Sequence, residues 1–179
     1  LKKSTVFIIE ASSYQLDYSK YFKSQYSIIL NLTPDHLERH VTFKNYIKAK
    51  FKLIQTQSKN HYAFVDKENN LLNNLIKNYK IKSKIKKVSY IRYKKYNKLI
   101  KNNYFKNKCN IKNLSFIFAL SKNLNLNLKK IINIANRFKG LDYRQQIIYK
   151  SKKLIVINDS KSTSFASTKP LLEYFKNIY

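Results

Sequence analysis

The chain has 179 residues, with 37 Lys or Arg against nine Asp or Glu, for a formal charge of +28. Arginine occurs only at Arg39, Arg92, Arg137 and Arg144, while Lys, Asn, Ile, Tyr and Phe, all with AT-rich codons, abound. That pattern reads as genomic bias with a solvated basic surface, not as a module that reads bases through bidentate arginine. Cys109 is the sole cysteine, which excludes an internal disulfide framework, and no apolar run approaches the roughly 20 residues of a membrane helix.

The chain begins at Leu1 and contains no Met, so it reads as an internal piece of a longer protein. At the far end, Leu171 to Tyr179 reads as helix with no Gly or Pro to stop it. No signal peptide is visible, and a cytoplasmic location is expected.

Thr5 to Glu10 (Thr-Val-Phe-Ile-Ile-Glu) reads as a buried strand closing on a carboxylate. Ser13 to Phe22 reads as a helix and Tyr26 to Leu32 as a second apolar strand. Continuous apolar runs of this length suit a parallel sheet covered on both faces. Thr42 to Gln55 is an amphipathic helix with Thr42 as its N-cap. Tyr62 to Val65 and Lys87 to Ile91 follow as short strands around a helical stretch, Glu68 to Tyr79. Arg92 to Lys108 is of low complexity and has no clear assignment. Asn110 to Ser121 and Leu126 to Phe138 read as helices, and Gly140, the only glycine, suits a left-handed position after the second. Gln145 to Lys150 and Lys153 to Ile157 read as a hairpin, ahead of a turn at Asn158 to Thr163 and a last helix. Alternating strands and helices predict an α/β fold, divided at Gly140 into residues 1–140 and 141–179.

In such sheets ligands sit beyond the carboxyl ends of strands, where Glu10, His36 and Asp159 fall. Glu10 suits a divalent cation, since Mg²⁺ takes one or two carboxylates plus waters and phosphate oxygens; it equally suits a solvated strand end. Ser12 and Ser13 are ordinary helix caps. His36, among Asp35, Glu38 and Arg39, is a candidate ligand or a surface residue. His40 and His61 read as structural or surface residues. Lys50 shares a helix stripe with Phe43, Ile47 and Ile54. An amine facing a core loses its proton more easily and can form a carbamate with CO₂, although a lysine there can also snorkel to water. Asn158-Asp159-Ser160-Lys161-Ser162-Thr163 offers an acceptor, a cation and hydroxyls on a helix-opening turn. With one glycine the chain holds neither a P-loop nor a dinucleotide fingerprint.

Five stretches carry a resemblance to the Mur ligase family. They are Glu10 to Asp17 (Glu-Ala-Ser-Ser-Tyr-Gln-Leu-Asp), Asn31 to His40 (Asn-Leu-Thr-Pro-Asp-His-Leu-Glu-Arg-His), Tyr46 to Lys50, Phe138 to Arg144 and Asn158 to Thr163. The resemblance implies a central ligase domain, a mostly parallel sheet flanked by helices, followed by the start of a Rossmann-like C-terminal domain. It implies an ATP- and Mg²⁺-dependent amide ligase acting through an acyl phosphate in peptidoglycan precursor synthesis. The wording points to the branch that adds D-glutamate to UDP-N-acetylmuramoyl-L-alanine. Glu10, His36 and a carbamylated Lys50 would serve the metal, with His36, Lys50 and Lys161 catalytic. Asn110, Asn113, Arg144, Asp159 and Lys161 would contact ATP. Thr163 would bind D-glutamate, and Ser12 and Gln15 the muramoyl substrate. A monomer is expected, with no specific nucleic-acid partner and no membrane insertion, and the 179 residues alone are expected to be inactive. Rival readings are another ligase of the superfamily, such as a folylpolyglutamate synthase, and a non-catalytic basic nucleic-acid-binding module. The family's Gly-x-His-Asn is replaced here by Asn107-Lys108-Cys109-Asn110, and its His-Arg-x-Glu by Tyr143-Arg144-Gln145-Gln146.

Overall fold

The computed structural model describes residues 5–175 and Ile178. Three strands, β1 (Tyr26–Ile29), β2 (Tyr62–Asp66) and β3 (Lys84–Val88), form a parallel sheet in the order β1-β2-β3, flanked by helices. The fold is α/β, as the alternation of elements requires. Helices α1 (Ser13–Tyr18), α2 (Leu37–His40), α3 (Phe43–Gln55) and α4 (Asn70–Asn78) come between or beside these strands. After them come α5 (Lys94–Asn97), α6 (Lys108–Asn123), α7 (Leu128–Arg137), the antiparallel hairpin β4 (Gln146–Lys150) and β5 (Ile155–Asn158), and α8 (Phe165–Tyr174).

Two compact units emerge: residues 1–63 with 70–86, and residues 64–69 with 87–179. In the first, α1 packs on α3, whose Phe51 and Ile54 are fully buried. Phe51 meets the Tyr79 ring at 4.9 Å. Complete burial of such a side chain contributes about 1.5–3 kcal/mol, and this packing fixes the outward face of α3. The α3 start is as the sequence requires, with Thr42 Oγ1 accepting from the Asn45 N–H at 3.2 Å. In the second unit α6 carries the core through Leu114, Phe116 and Phe118, and Phe118 stacks on Tyr93.

Several expectations need correction. Residues 5–10 form no strand: Val6, Phe7, Ile8 and Ile9 are exposed and make no ladder among the described residues. Apolar composition makes a segment fit for a sheet, but a strand exists only when a neighbour supplies its hydrogen bonds. The third strand lies at Lys84–Val88, three residues earlier than expected, because only Val88 is buried and the lysines hide the alternation. Arg92 to Lys108 is a series of single turns: a 3₁₀ turn at Ile91–Tyr93, α5, and a second 3₁₀ turn at Asn103–Phe105. The last helix ends at Tyr174, with Phe175 extended after it; residues 176, 177 and 179 lie outside the described set.

Candidate functional site

The first site is built on α1, α2 and α3. Ser12 caps α1 reciprocally: its Oγ accepts from the Gln15 N–H at 3.2 Å, and Gln15 Oε1 accepts from the Ser12 N–H at 2.8 Å. Such a box stabilises a helix of only six residues. His36 precedes the one-turn α2 in a left-handed conformation, φ +53°, and Val41 ends it at φ +63°. Lys50 is half-buried on α3, its Nζ 5.2 Å from the Tyr46 ring centre.

Glu10, Ser12, Gln15, His36 and Lys50 line one recess of about 390 Å³, with Ala11 and Ser13 completing its wall. Five residues singled out from three separate motifs therefore share one cavity. Around His36 the structure adds partners. Its Nδ1 lies 3.4 Å from Glu38 Oε1 and its Nε2 3.6 Å from Asp35 Oδ2. Tyr14 donates to Glu38 Oε1 at 3.0 Å and sets its ring edge against the imidazole, centroids 4.9 Å apart. The carboxyl of Glu38 is held below the usual carboxylate range, first by its own backbone N–H and then by the Tyr14 hydroxyl. Desolvation, then the bond to Glu38, pushes the Tyr14 phenol up. His40 is buried, with Nε2 3.0 Å from Ser13 Oγ, and is structural.

The Glu10 carboxylate suits a hard cation that keeps part of its water shell, whereas the His36 imidazole is not a preferred ligand for Mg²⁺. Among the described residues no group of three or more His, Cys, Asp or Glu gathers as a metal cluster. Glu10 offers carboxylate oxygens and His36 an imidazole, and Mg²⁺ needs only one or two protein carboxylates when waters and phosphate oxygens fill the rest. The set fits Mg²⁺ in that open mode and not an all-protein cage.

The second group lies in the other unit. Asn107 caps α6, its Oδ1 accepting from the Asn110 N–H at 2.8 Å. The Asn110 amide is buried and donates to Tyr104 O at 2.8 Å and to Gln145 Oε1 at 3.0 Å; Asn107 donates to the same Gln145 oxygen at 2.8 Å. The Gln145 backbone N–H donates to Asp159 Oδ1 at 2.9 Å, and Ser162 Oγ to Asp159 Oδ2 at 2.7 Å. Lys161 is tied by its backbone N–H to Tyr143 O at 3.0 Å, leaving its side chain exposed. Arg144 and Thr163 are exposed, and Asn113 is half-buried one turn beyond Asn110. Asn110, Asp159 and Lys161 thus share one neighbourhood, knotted by Gln145. Sequence reasoning did not single out Gln145; its only signal was its place where the family pattern breaks. Gly140 has φ +88°, as its left-handed position requires, and a Cβ there would stand 3.4 Å from the Tyr104 ring.

Residues 1–140 match the Mur ligase middle domain. The chain belongs to the Mur ligase family. Members of this family are ATP-using acid–amino-acid ligases of peptidoglycan precursor synthesis. The chain is 32% identical to the UDP-N-acetylmuramoylalanine--D-glutamate ligase of Pseudothermotoga lettingae, over 98% of this chain and 41% of that protein. To the enzyme of the same name from Rickettsia bellii it is 28% identical, over 97% of this chain and 43% of that protein. It thus spans about two-fifths of the length of the curated relatives it matches. In fold it is similar to the MurF ligase of Thermotoga maritima, solved in complex with ADP: TM-score 0.65, 12% identity, 91% of this chain and 42% of that one. No described helix of this Mur ligase chain is long and apolar enough to cross a membrane.

Proposed function

We propose that the whole protein is a cytoplasmic, monomeric ligase that joins D-glutamate to UDP-N-acetylmuramoyl-L-alanine at the expense of ATP. The observation that carries this reading is the meeting of Glu10, Ser12, Gln15, His36 and Lys50 in one recess. The likeness to the Pseudothermotoga and Rickettsia ligases supports the choice of amino acid. The match ending at residue 140 supports a central domain over 1–140 and the start of a C-terminal domain over 141–179.

In this scheme the γ-phosphoryl group passes to the substrate's carboxylate oxygen and ADP leaves. The amine of D-glutamate then attacks the acyl carbon, releasing phosphate and a proton. Glu10 and His36 would hold Mg²⁺, which supplies charge neutralisation for the transferring phosphoryl group. The neutral Lys50 amine would bond to CO₂ through nitrogen and release a proton, converting a cation into an oxygen-bearing carbamate. Ser12 and Gln15 use acceptor oxygens to cap α1, so the Ser12 hydroxyl hydrogen and the Gln15 amide hydrogens remain as donors to substrate oxygens. Arg144 and Lys161 would offer cations to phosphate, with Lys161 stabilising charge as it develops. The amide hydrogens of Asn110 are engaged, so it would meet the nucleotide as an acceptor; Asn113 would assist it, and Asp159 would accept from ribose hydroxyls. Thr163 would donate to the D-glutamate carboxylate.

The test is ATP-dependent phosphate release by the full-length protein with UDP-N-acetylmuramoyl-L-alanine. The amino-acid panel holds D-glutamate, L-alanine and a diamino acid, with a folate acceptor run separately. D-glutamate-dependent release that Lys50→Ala abolishes is expected. Release with another amino acid, or with the folate acceptor, overturns the assignment.

A further inference from the structure

We propose that Gln145 is a positioning residue for nucleotide binding, holding Asn110 with its side chain and Asp159 with its backbone. The proposal rests on the reading of Asn110 and Asp159 as nucleotide contacts.

Gln145 stands between two elements and bonds to both. Its backbone has φ +49°, a left-handed conformation that non-glycine residues seldom hold. Such outliers persist where the surroundings fix them, and they gather at ligand sites. Here the Gln145 N–H donates to Asp159 Oδ1 at 2.9 Å, just past the end of β5. The side-chain oxygen of this half-buried residue receives Asn107 Nδ2 at 2.8 Å and Asn110 Nδ2 at 3.0 Å, at the start of α6.

Two backbone groups settle which way the three amides face. Tyr104 O can only accept, so the Asn110 atom 2.8 Å from it is the nitrogen. The Asn110 N–H can only donate, so the Asn107 atom 2.8 Å from it is the oxygen, and the other end is the nitrogen. Both nitrogens meet the same Gln145 atom, which is therefore the oxygen. A flipped Asn110 would set its oxygen against two acceptors. With both amide hydrogens taken, Asn110 has only its carbonyl oxygen to offer a ligand. Asp159 has one bond at each carboxylate oxygen, from Gln145 and from Ser162 at 2.7 Å, and keeps further acceptor capacity. Gln145 thus readies two acceptors, from distant parts of the chain, for the donor groups of one ligand. The hydroxyls and amino group of a nucleoside are such donors; a phosphate oxygen is not. The nucleoside end, not the phosphates, is the part that Gln145 governs.

Titration calorimetry of the full-length protein with Mg-ADP tests this. Gln145→Met keeps the length of the side chain and removes the acceptor; it should weaken ADP about tenfold, the scale of one lost hydrogen bond. Gln145→Gly, at ease at this φ, removes the acceptor by a second route, should give the same loss, and decides the matter if Gln145→Met does not fold. Gln145→Glu keeps an acceptor for both amides and should stay within about threefold of the parent. On an Asn110→Ala background Gln145→Met should cost no more than about twofold, since the two residues act through one contact. Inorganic tripolyphosphate, which has no nucleoside, should not distinguish the parent from Gln145→Met. Unchanged ADP affinity in both acceptor-free variants, with only the urea midpoint lowered, would make Gln145 a brace alone and overturn the proposal. Additive losses with Asn110→Ala, or an equal loss for tripolyphosphate, also overturn it. A full-length parent that binds no ADP removes the nucleotide reading and the proposal with it, whereas ADP binding indifferent to Gln145 removes the proposal alone.

Discussion

The recess on α1–α3 and the knot around Gln145 use polar side chains in opposite ways. In the recess Glu10 is exposed and Lys50 is half-buried, and both line open volume. In the knot Asn107, Asn110, Gln145 and Asp159 satisfy one another across 14 to 38 residues of chain. The first arrangement leaves donors available to a ligand at little cost in stability. In the second, side chains that the family resemblance assigns to nucleotide also hold α6 to the β4–β5 hairpin. A residue can thus carry a family motif and still serve chiefly to brace the fold.

The contrast breaks if stability and ligand affinity respond alike at both places. Gln145→Ala should give the largest stability loss. It strands the Asn107 and Asn110 amide hydrogens in a part-buried setting, at about 1–3 kcal/mol, read from urea unfolding. Glu10→Gln should move unfolding by no more than about 0.5 kcal/mol, as for an exposed site, yet abolish Mn²⁺ binding followed by paramagnetic broadening. Equal losses from the two variants would erase the distinction.

The smallest effect sharpens the contrast through Cys109, beside Asn110 on α6. Burial pushes its thiol up, more than Arg144 and Lys112 pull it down. The folded chain therefore keeps this proton at pH values where the unfolded thiol ionises. Its contribution to stability is full below the unfolded pKa, about 8.5, and is lost as pH rises through the higher folded value. Iodoacetamide should alkylate Cys109 several-fold more slowly in the native chain than in urea at mildly alkaline pH. Equal rates would mean that the region of the knot is open.

Much of this was legible from local chemistry. Thr42 before an apolar stripe announced α3, and the stripe itself placed Lys50 toward the interior. The motifs around Ser12, Gln15 and His36 drew attention to residues that line the recess, although β1 ends at Ile29, well short of His36, and no strand precedes Glu10 among the described residues. What escaped is non-local. The run Val6 to Ile9 has strand composition, yet nothing in its own residues specifies a hydrogen-bonding neighbour. Gln145 bonds to Asn107, 38 positions earlier, and no periodicity encodes such a pair. Glu38 was visible as part of a charged cluster, but its bond to Tyr14 needed α1 and α2 to be brought together.

The turn from His36 to Val41 has a consequence for how this stretch can vary in length. Two non-glycine residues with positive φ bracket a helix of a single turn. Each residue added or removed there would rotate the chain on one side of the turn by about 100° relative to the chain on the other. That would swing the imidazole away from Tyr14, or Tyr46 and Lys50 away from the recess. Surface connections elsewhere, such as residues 151–154 at the hairpin tip, have no such phase to keep. Insertions and deletions should therefore accumulate at the hairpin and spare the interval between positions 36 and 41, which acts as a ruler of fixed length.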